Sequence, residues 1–459
     1  METAVHHFSS LLQLPAMETR LLSGCDLHVH LAGSFYAEDL LAIGAPIFRE
    51  VDWTDRDFLD GYNNSLDTEL DPIKLFAAAL ADPENGFARL KTAYVFGPDD
   101  SGDFDRFMWK YRLFSHLWGY GWEQGWETAV AMIRQAVEHH KRQGLDFVEY
   151  RAGFWGEATE LRQKMQICAE ALASECDEQF TAHYIVPLPR NDPLPTYLAV
   201  RQLLHEQPQL SRILVGLDFS SQEEGFPPRL FGPLFQRLHQ DNEANPAQQL
   251  TAVYHVGESF FDKSLESAVR WCHEAALLGA KRLGHCIALG LDPAVAVSRR
   301  PQAHEAELVS ERLDQIAYDL RFVRQLRQAG VAVDVTALKA EQRSLASLAL
   351  DDWVERPYTP QRLQDIRQRQ TFVLNQLTQA GIVIECCPTS NLRIGGVPDA
   401  EHHPIHRLLA SRVNLCICTD DPGTFDITLA SEIEWVLRHT NFTPDSLAQR
   451  LGDPRRFRL

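Results

Sequence analysis

Four short groups of polar residues in this chain have the types and spacing for metal-assisted hydrolysis. Leu27-His28-Val29-His30 carries two imidazoles two residues apart, and on a strand such residues share one face. His255-Val256-Gly257-Glu258 adds a third imidazole, followed by a glycine that lets the backbone turn so that Glu258 faces the same cavity. Gly284-His285-Cys286 adds a fourth, and Thr419-Asp420-Asp421-Pro422 supplies two adjacent carboxylates. Neighbours on a strand point in opposite directions, so one of that pair can bind a metal while the other reaches substrate. Three imidazoles and a carboxylate suit zinc, although the same donor set suits several divalent ions. Taken singly, a His or Asp at a strand end is an ordinary hydrogen-bonded polar group, and Asp-Asp-Pro is a common turn. The joint, ordered recurrence of the four groups is what carries the reading.

Such groups must be held by strands that converge. Eight strand candidates alternate with helical patterns: Asp26 to His30, Asp146 to Gly153, His183 to Leu188, Ile213 to Phe219, Thr251 to Gly257, Arg282 to Cys286, Ile382 to Pro388 and Val413 to Asp420. Several are continuous apolar runs, as parallel strands covered on both faces require. Trp126 to Lys141 and Leu265 to Leu278 carry apolar residues at helical spacing. The pattern predicts an α/β fold, a (β/α)8 TIM-type barrel forming one hydrolase domain over 1–459, with the four groups at the C-terminal ends of strands one, five, six and eight. A stretch over 1–24 precedes it as an N-terminal extension. Two connections exceed ordinary crossovers: a helical lid region over 31–143, with the aromatic stretch Phe107 to Trp126, and an inserted helical segment over 288–371. The aromatics serve either helix packing or a lid over the barrel mouth. In the insertion, Arg299-Arg300-Pro301 and Asp351 to Pro360 read as loops, whereas Val331 to Val335 reads as strand-like. The insertion is expected to serve oligomer contacts or substrate gating.

Composition narrows the partners. A 45% hydrophobic, 23% charged chain is ordinary globular material, and its formal charge of −19 disfavours a nucleic-acid partner. No run reaches membrane-spanning length, and the first residues do not read as a signal peptide, so a cytoplasmic location with no membrane partner is expected. Nine cysteines without Cys-x-x-Cys spacing point to reduced, mostly buried thiols. A Gly-x-x-x-x-Gly-Lys phosphate loop is absent, as is the Pro-Cys-x-x-Cys of nucleic-acid deaminases.

The stretches DLHVHLAGSF at 26–35, HVGE at 255–258, RLGHC at 282–286, ECCPTSNLRIGG at 385–396, HPIHRLL at 403–409 and CTDDP at 418–422 together resemble the adenosine deaminase family of the amidohydrolase superfamily. The resemblance implies one zinc ion held by His28, His30, His255 and Asp420. It implies that Glu258 protonates purine N1, that His285 positions and stabilises the attacking hydroxide, and that Asp421 hydrogen-bonds N7. Substrate contacts are implied for His30, Gly33, Ser221 and Asp421. The implied reaction is hydrolytic removal of the 6-amino group of an adenine-type nucleoside or nucleotide.

Two departures from the family pattern bear on the substrate. The family usually has Asp where this chain has Ala32, and that Asp contacts the 5′-hydroxyl of adenosine. Ala32 removes the hydrogen-bond partner and also a charge that would repel a 5′-phosphate. It therefore fits either a 5′-substituted substrate or a ribose bound another way. After the fourth strand the family commonly has Gly, where Ser221 stands here. Arg393 is either an anion contact or a solvated charge. Two alternatives stay open: a related zinc hydrolase acting on a modified purine or a non-purine amine, and a binding or scaffold protein that has lost catalysis.

Overall fold

In the computed structural model, residues 23–100, 104–300 and 305–459 are described. The expected 1–24 extension therefore lies almost wholly outside them, as does Pro301. Eight parallel strands follow one another around a barrel: β1 Cys25–His30, β2 Phe147–Arg151, β3 Thr181–Pro187, β4 Leu214–Phe219, β5 Thr251–Val256, β6 Arg282–His285, β7 Val383–Cys386 and β8 Asn414–Ile417. Each strand overlaps the apolar run read from the sequence. Seven of the pairings are hydrogen-bonded ladders between successive strands. The eighth closes the barrel through a parallel bridge between Val29 and Asp420. There the His30 N–H donates to Asp420 O at 2.8 Å and the Asp420 N–H to His28 O at 2.9 Å. Closure itself thus sets Asp420 beside both histidines of β1.

Helices cover the outside. Helix α1 (Phe104–Glu123) carries the aromatic stretch and buries Phe107, Phe114, Leu117, Trp118 and Trp122. Its rings stack on the loops that follow β1 and β8, Phe114 on Phe35 at 4.3 Å and Phe107 on Phe425 at 5.2 Å. The aromatic stretch therefore serves packing, and what it packs on are the two segments that follow β1 and β8. Helix α2 (Trp126–Arg142) leads into β2. Helix α3 (Leu265–Leu278) starts where Ser264 Oγ accepts the Ser267 N–H and stops at Gly279, whose φ of 122° suits only glycine.

The insertion between β6 and β7 holds helix α4 (Val309–Arg321) and further short helices, and it returns through helix α5 (Pro360–Gln379), the barrel helix ahead of β7. Two expectations fail here. Val331 to Val335 is not a strand, since its valines run in extended coil into the helix Val335–Leu345 capped by Asp334. The expected loop 351–360 contains a strand, Trp353–Glu355, paired antiparallel with Ala306–Leu308. Apolar alternation over so few residues does not separate coil from strand; pairing partners decide.

Candidate active site

The C-terminal ends of β4, β5, β6 and β8 leave regular geometry in the same way. Ser221, Gly257, His285, Cys286 and Asp420 all take positive φ, from 50° to 70°. For the non-glycine residues this costs on the order of 1–3 kcal/mol each, and such strain gathers where side chains must be aimed. The turn at Asp420 places its carboxylate among imidazoles. His28 Nε2 and His30 Nε2 lie 3.2 and 3.3 Å from Asp420 Oδ1, and 3.0 and 3.3 Å from His255 Nε2. A tetrahedral ion with ligands about 2.0–2.1 Å away holds its donors about 3.3–3.4 Å apart. The four donor atoms therefore fit a divalent cation. Burial pushes His255 down to about 3, which leaves its imidazole neutral and able to coordinate.

Two of the histidines are oriented from behind. His28 Nδ1–H donates to Glu385 Oε2 at 2.7 Å, and His255 Nδ1–H donates to Asp218 Oδ1 at 3.0 Å. Each bond fixes the tautomer that turns Nε2 toward the cluster. Arg151 links the two carboxylates, donating to Asp218 at 2.6 Å and to Glu385 at 2.7 Å. Arg282 donates to the other Glu385 oxygen at 2.6 Å and pairs with Glu149. All these side chains are buried. Burial alone would raise Glu385, but Arg151 and Arg282 outweigh it and hold the carboxyl below its ordinary range.

Around the four donors stand groups that complete a reaction site. His285 Nδ1–H donates to Asn391 Oδ1 at 2.9 Å, and Asn391 Nδ2 faces Cys386 Sγ at 3.5 Å, which sets the amide orientation. His285 Nε2 is buried without a partner, 3.7 Å from Glu258 Oε1. Asp421 Oδ1 is likewise buried and unpartnered. Burial, then the charge of Asp420, pushes the Asp421 carboxyl well above the usual carboxylate range. Burial also raises Glu258.

The adenosine deaminase family model matches residues 361–451, which span α5 to β8 and so hold Glu385, Asn391, Asp420 and Asp421. That match covers the last part of the chain, so the likeness to the adenosine deaminase family rests on residues 361–451. An adenosine deaminase-like protein of Drosophila melanogaster is 48% identical over 59 residues, 13% of this chain and 18% of that protein. An adenine deaminase of Sinorhizobium medicae is 28% identical over 155 residues, 32% of this chain and 46% of that protein. The matched stretches thus span less than half of either relative. Among solved structures, the adenine deaminase of Arthrobacter aurescens superposes with a TM-score of 0.53 at 17% identity, over 93% of this chain and 90% of that one. The N6-methyl-AMP deaminase of Arabidopsis thaliana gives 0.52 at 14% identity, over 94% and 90%. At such identities these structures speak to the fold.

Within the barrel the remaining expected contacts are distributed unevenly. Gly33 lies against Asp421, so close that a Cβ there would come within 1.8 Å of Oδ1. Ser221 is exposed at the mouth with a φ of 70°, a conformation that explains a family preference for glycine at that place. Ala32 sits half-buried in a short turn, packed against the core. Arg393 is half-buried rather than a freely solvated charge, and its Nη1 donates to Phe96 O at 2.7 Å and Phe425 O at 2.8 Å.

Several site-building residues were not legible beforehand. Asp218, Glu385, Arg151 and Arg282 sit within strands read only as apolar runs; a charge inside a buried strand was the available signal. Glu223 is another, its buried carboxylate accepting the N–H groups of Gly257, Glu258 and Ser259 at 3.1–3.2 Å. Tyr111 of α1 lies near enough to Asp421 and Asp420 that, after burial, their charges further raise its phenol.

Proposed function

We propose that the chain is a metal-dependent aminohydrolase, using zinc, that converts an adenine-type purine to its 6-oxo product and ammonia. The observation that carries this reading is the set of groups beside the four metal donors that bind no metal in it: Glu258, His285 Nε2 and Asp421 Oδ1. A structural ion would need only a closed ligand set. Burying three further ionisable groups beside it, two with unsatisfied atoms, is costly unless a ligand uses them.

A divalent ion at the cluster supplies Lewis acidity and makes water nucleophilic near neutral pH. With Nδ1–H committed to Asn391, His285 turns its Nε2 to the site and accepts the proton that the attacking water releases. Glu258, whose carboxyl burial raises, delivers a proton to N1, which draws electrons from C6. Asp421 must be protonated to donate to N7, and both its burial and its neighbour Asp420 act in that direction. The C6–O bond forms, the C6–N bond breaks, and the amino group leaves as ammonia with the transferred proton.

The test is ammonia release by the metal-replete protein over adenine, adenosine, 2′-deoxyadenosine, AMP and N6-methylated analogues. Glu258→Gln should retain one metal per chain by elemental analysis and an unchanged melting temperature, while kcat falls about 10²–10⁴-fold. Normal turnover by that variant would remove the N1-protonation role. Release of ammonia from none of these purines would overturn the reading itself.

A further inference from the structure

Glu258 stands in a segment whose main chain has left the barrel ladder. Strand β5 ends at Val256, and Gly257 follows with a φ of 67°, so the chain turns just before Glu258. The Gly257 carbonyl accepts the Ala288 N–H at 2.9 Å, but the N–H groups of Gly257, Glu258 and Ser259 have no carbonyl acceptor among the described residues. They converge instead as an anion-binding nest. Glu223, on the loop after β4, fills it. Its Oε1 accepts the Gly257 N–H at 3.1 Å, and its Oε2 accepts those of Glu258 and Ser259 at 3.1 and 3.2 Å.

A carboxylate that is only 4% exposed is costly to keep there unless it is paired and hydrogen-bonded. The counter-charge is Lys263, itself buried, whose Nζ lies 3.8 Å from Glu223 Oε1 and 4.2 Å from the centroid of the Trp271 ring. The same ammonium donates to Ser259 O at 3.3 Å and closes the segment into a turn. Further out, Ser259 Oγ donates to Glu224, and the Gly225 N–H donates to Asp262 at 2.9 Å. Those outer bonds already join the two loops, and a buried ion pair adds little stability beyond what apolar packing would give. What Glu223 adds is a fixed place for the Glu258 main chain, and so a direction for its carboxyl, which lies 3.7 Å from His285 Nε2.

We propose that Glu223 is a positioning residue, its carboxylate holding the main chain of Glu258 so that the Glu258 side chain is aimed for proton delivery to substrate. The proposal rests on the deaminase reading above. Without that carboxylate, three N–H groups would turn to water, and Glu258 would move with Gly257. Size alone does not serve: glutamine offers one acceptor oxygen to three donors and sets an NH2 against them.

Glu223→Ala removes a fragment the size of acetate, which makes the anchor replaceable. In the full-length, metal-replete variant we expect one metal per chain, a fall in kcat of at least about 100-fold and a smaller change in KM. Sodium acetate should restore at least about tenfold of the loss by refilling the nest, and uncharged acetamide none of it. Amide hydrogen exchange in peptides covering 257–259 should run at least about tenfold faster in the variant and slow again in acetate. Native kcat, unchanged exchange, or a loss that acetate does not repair in the folded, metal-loaded variant overturns the proposal. Should Glu223→Ala not fold, Glu223→Gln takes its place without acetate: a lost kcat with faster exchange upholds the proposal, and a native value of either overturns it. If the native protein deaminates no purine, the deaminase reading fails separately and exchange alone decides. Faster exchange reversed by acetate then upholds the anchoring of Glu258, and unchanged exchange overturns it.

Discussion

A Cβ on Gly33 would overlap the Asp421 carboxyl, at 1.8 Å from Oδ1 and 2.6 Å from Cγ. No side-chain rotation of an alanine relieves that contact, so Asp421 or the turn at 32–34 must move. Gly33→Ala should leave the proposed metal donors in place, because the three atoms nearest the added Cβ all belong to Asp421, and should displace Asp421, the proposed N7 contact. We expect full metal content and a loss of at least about 100-fold in kcat/KM, since a displacement near 1 Å at a reacting group costs that much. Retained activity would mean that Asp421 is not a substrate contact. Gly284 sets a similar limit, as a Cβ there would lie 2.9 Å from His28 Cε1. A sequence identifies such glycines but not what presses on them.

At the scale of elements, β2 and β7 carry none of the four proposed metal donors yet orient two of them. Arg151 on β2 joins Asp218 on β4 to Glu385 on β7, and those two carboxylates hold His255 and His28. Arg151→Met keeps the volume and leaves two buried carboxylates short of a counter-charge. Breaking a buried pair from one side costs roughly 3–5 kcal/mol. Loss of the orienting bonds should weaken metal affinity about 10–100-fold. Denaturant unfolding and metal-competition titration measure the two effects; an unchanged affinity would confine Arg151 to stability. The helix Leu429–His439 makes a different demand. Its buried Glu432 accepts the Thr389 N–H at 2.8 Å and pairs with the Thr389 hydroxyl, and burial pushes its carboxyl up to about 7 from 4.5. The folded state then binds more protons than the unfolded state between those values, so this group lowers stability as pH rises through that window. The full loss, at most about 3 kcal/mol, is present above pH 7 and absent below pH 4.5. Glu432→Gln should therefore gain on the native protein as the pH of denaturant unfolding goes from 5 to 8. A pH-independent difference would show that Glu432 does not titrate in that window.

At the scale of the whole molecule, the insertion after β6 is fastened to the barrel by buried ions. Arg270 of α3 donates to Glu311 O of α4 at 3.1 Å, Arg369 of α5 pairs with Asp319 of α4, and Arg362 of α5 binds Glu266 of α3 at 2.8 and 3.0 Å. Arg229, after β4, reaches Glu311 and Asp314. A segment so tied should not melt alone, and we expect a single calorimetric transition whose calorimetric and van't Hoff enthalpies agree. Two transitions would mark the insertion as a separate unit. Glu311→Gln, which strips charge from Arg270 and Arg229 together, should lower the single melting temperature rather than split it.

The sequence by itself determined the eight strands and the order of the barrel, and it singled out His28, His30, His255 and Asp420, which the fold brings together. Fully buried parallel strands leave continuous apolar runs, and ligands at strand ends leave polar residues just where those runs stop. It did not determine the Val331 to Val335 coil or the Trp353–Glu355 strand, because short segments take their conformation from whatever pairs with them. Tertiary structure alone decided what surrounds the ligands. Asp218 meets His255, and Glu385 meets His28 across 357 residues of chain. Barrel closure at Val29 and Asp420 makes the cluster, and Glu223 occupies the nest beside Glu258. Hydrogen bonds and charge pairing depend on distances that the chain acquires only on folding, so the clustered side chains could be read in advance and the carboxylates that orient them could not.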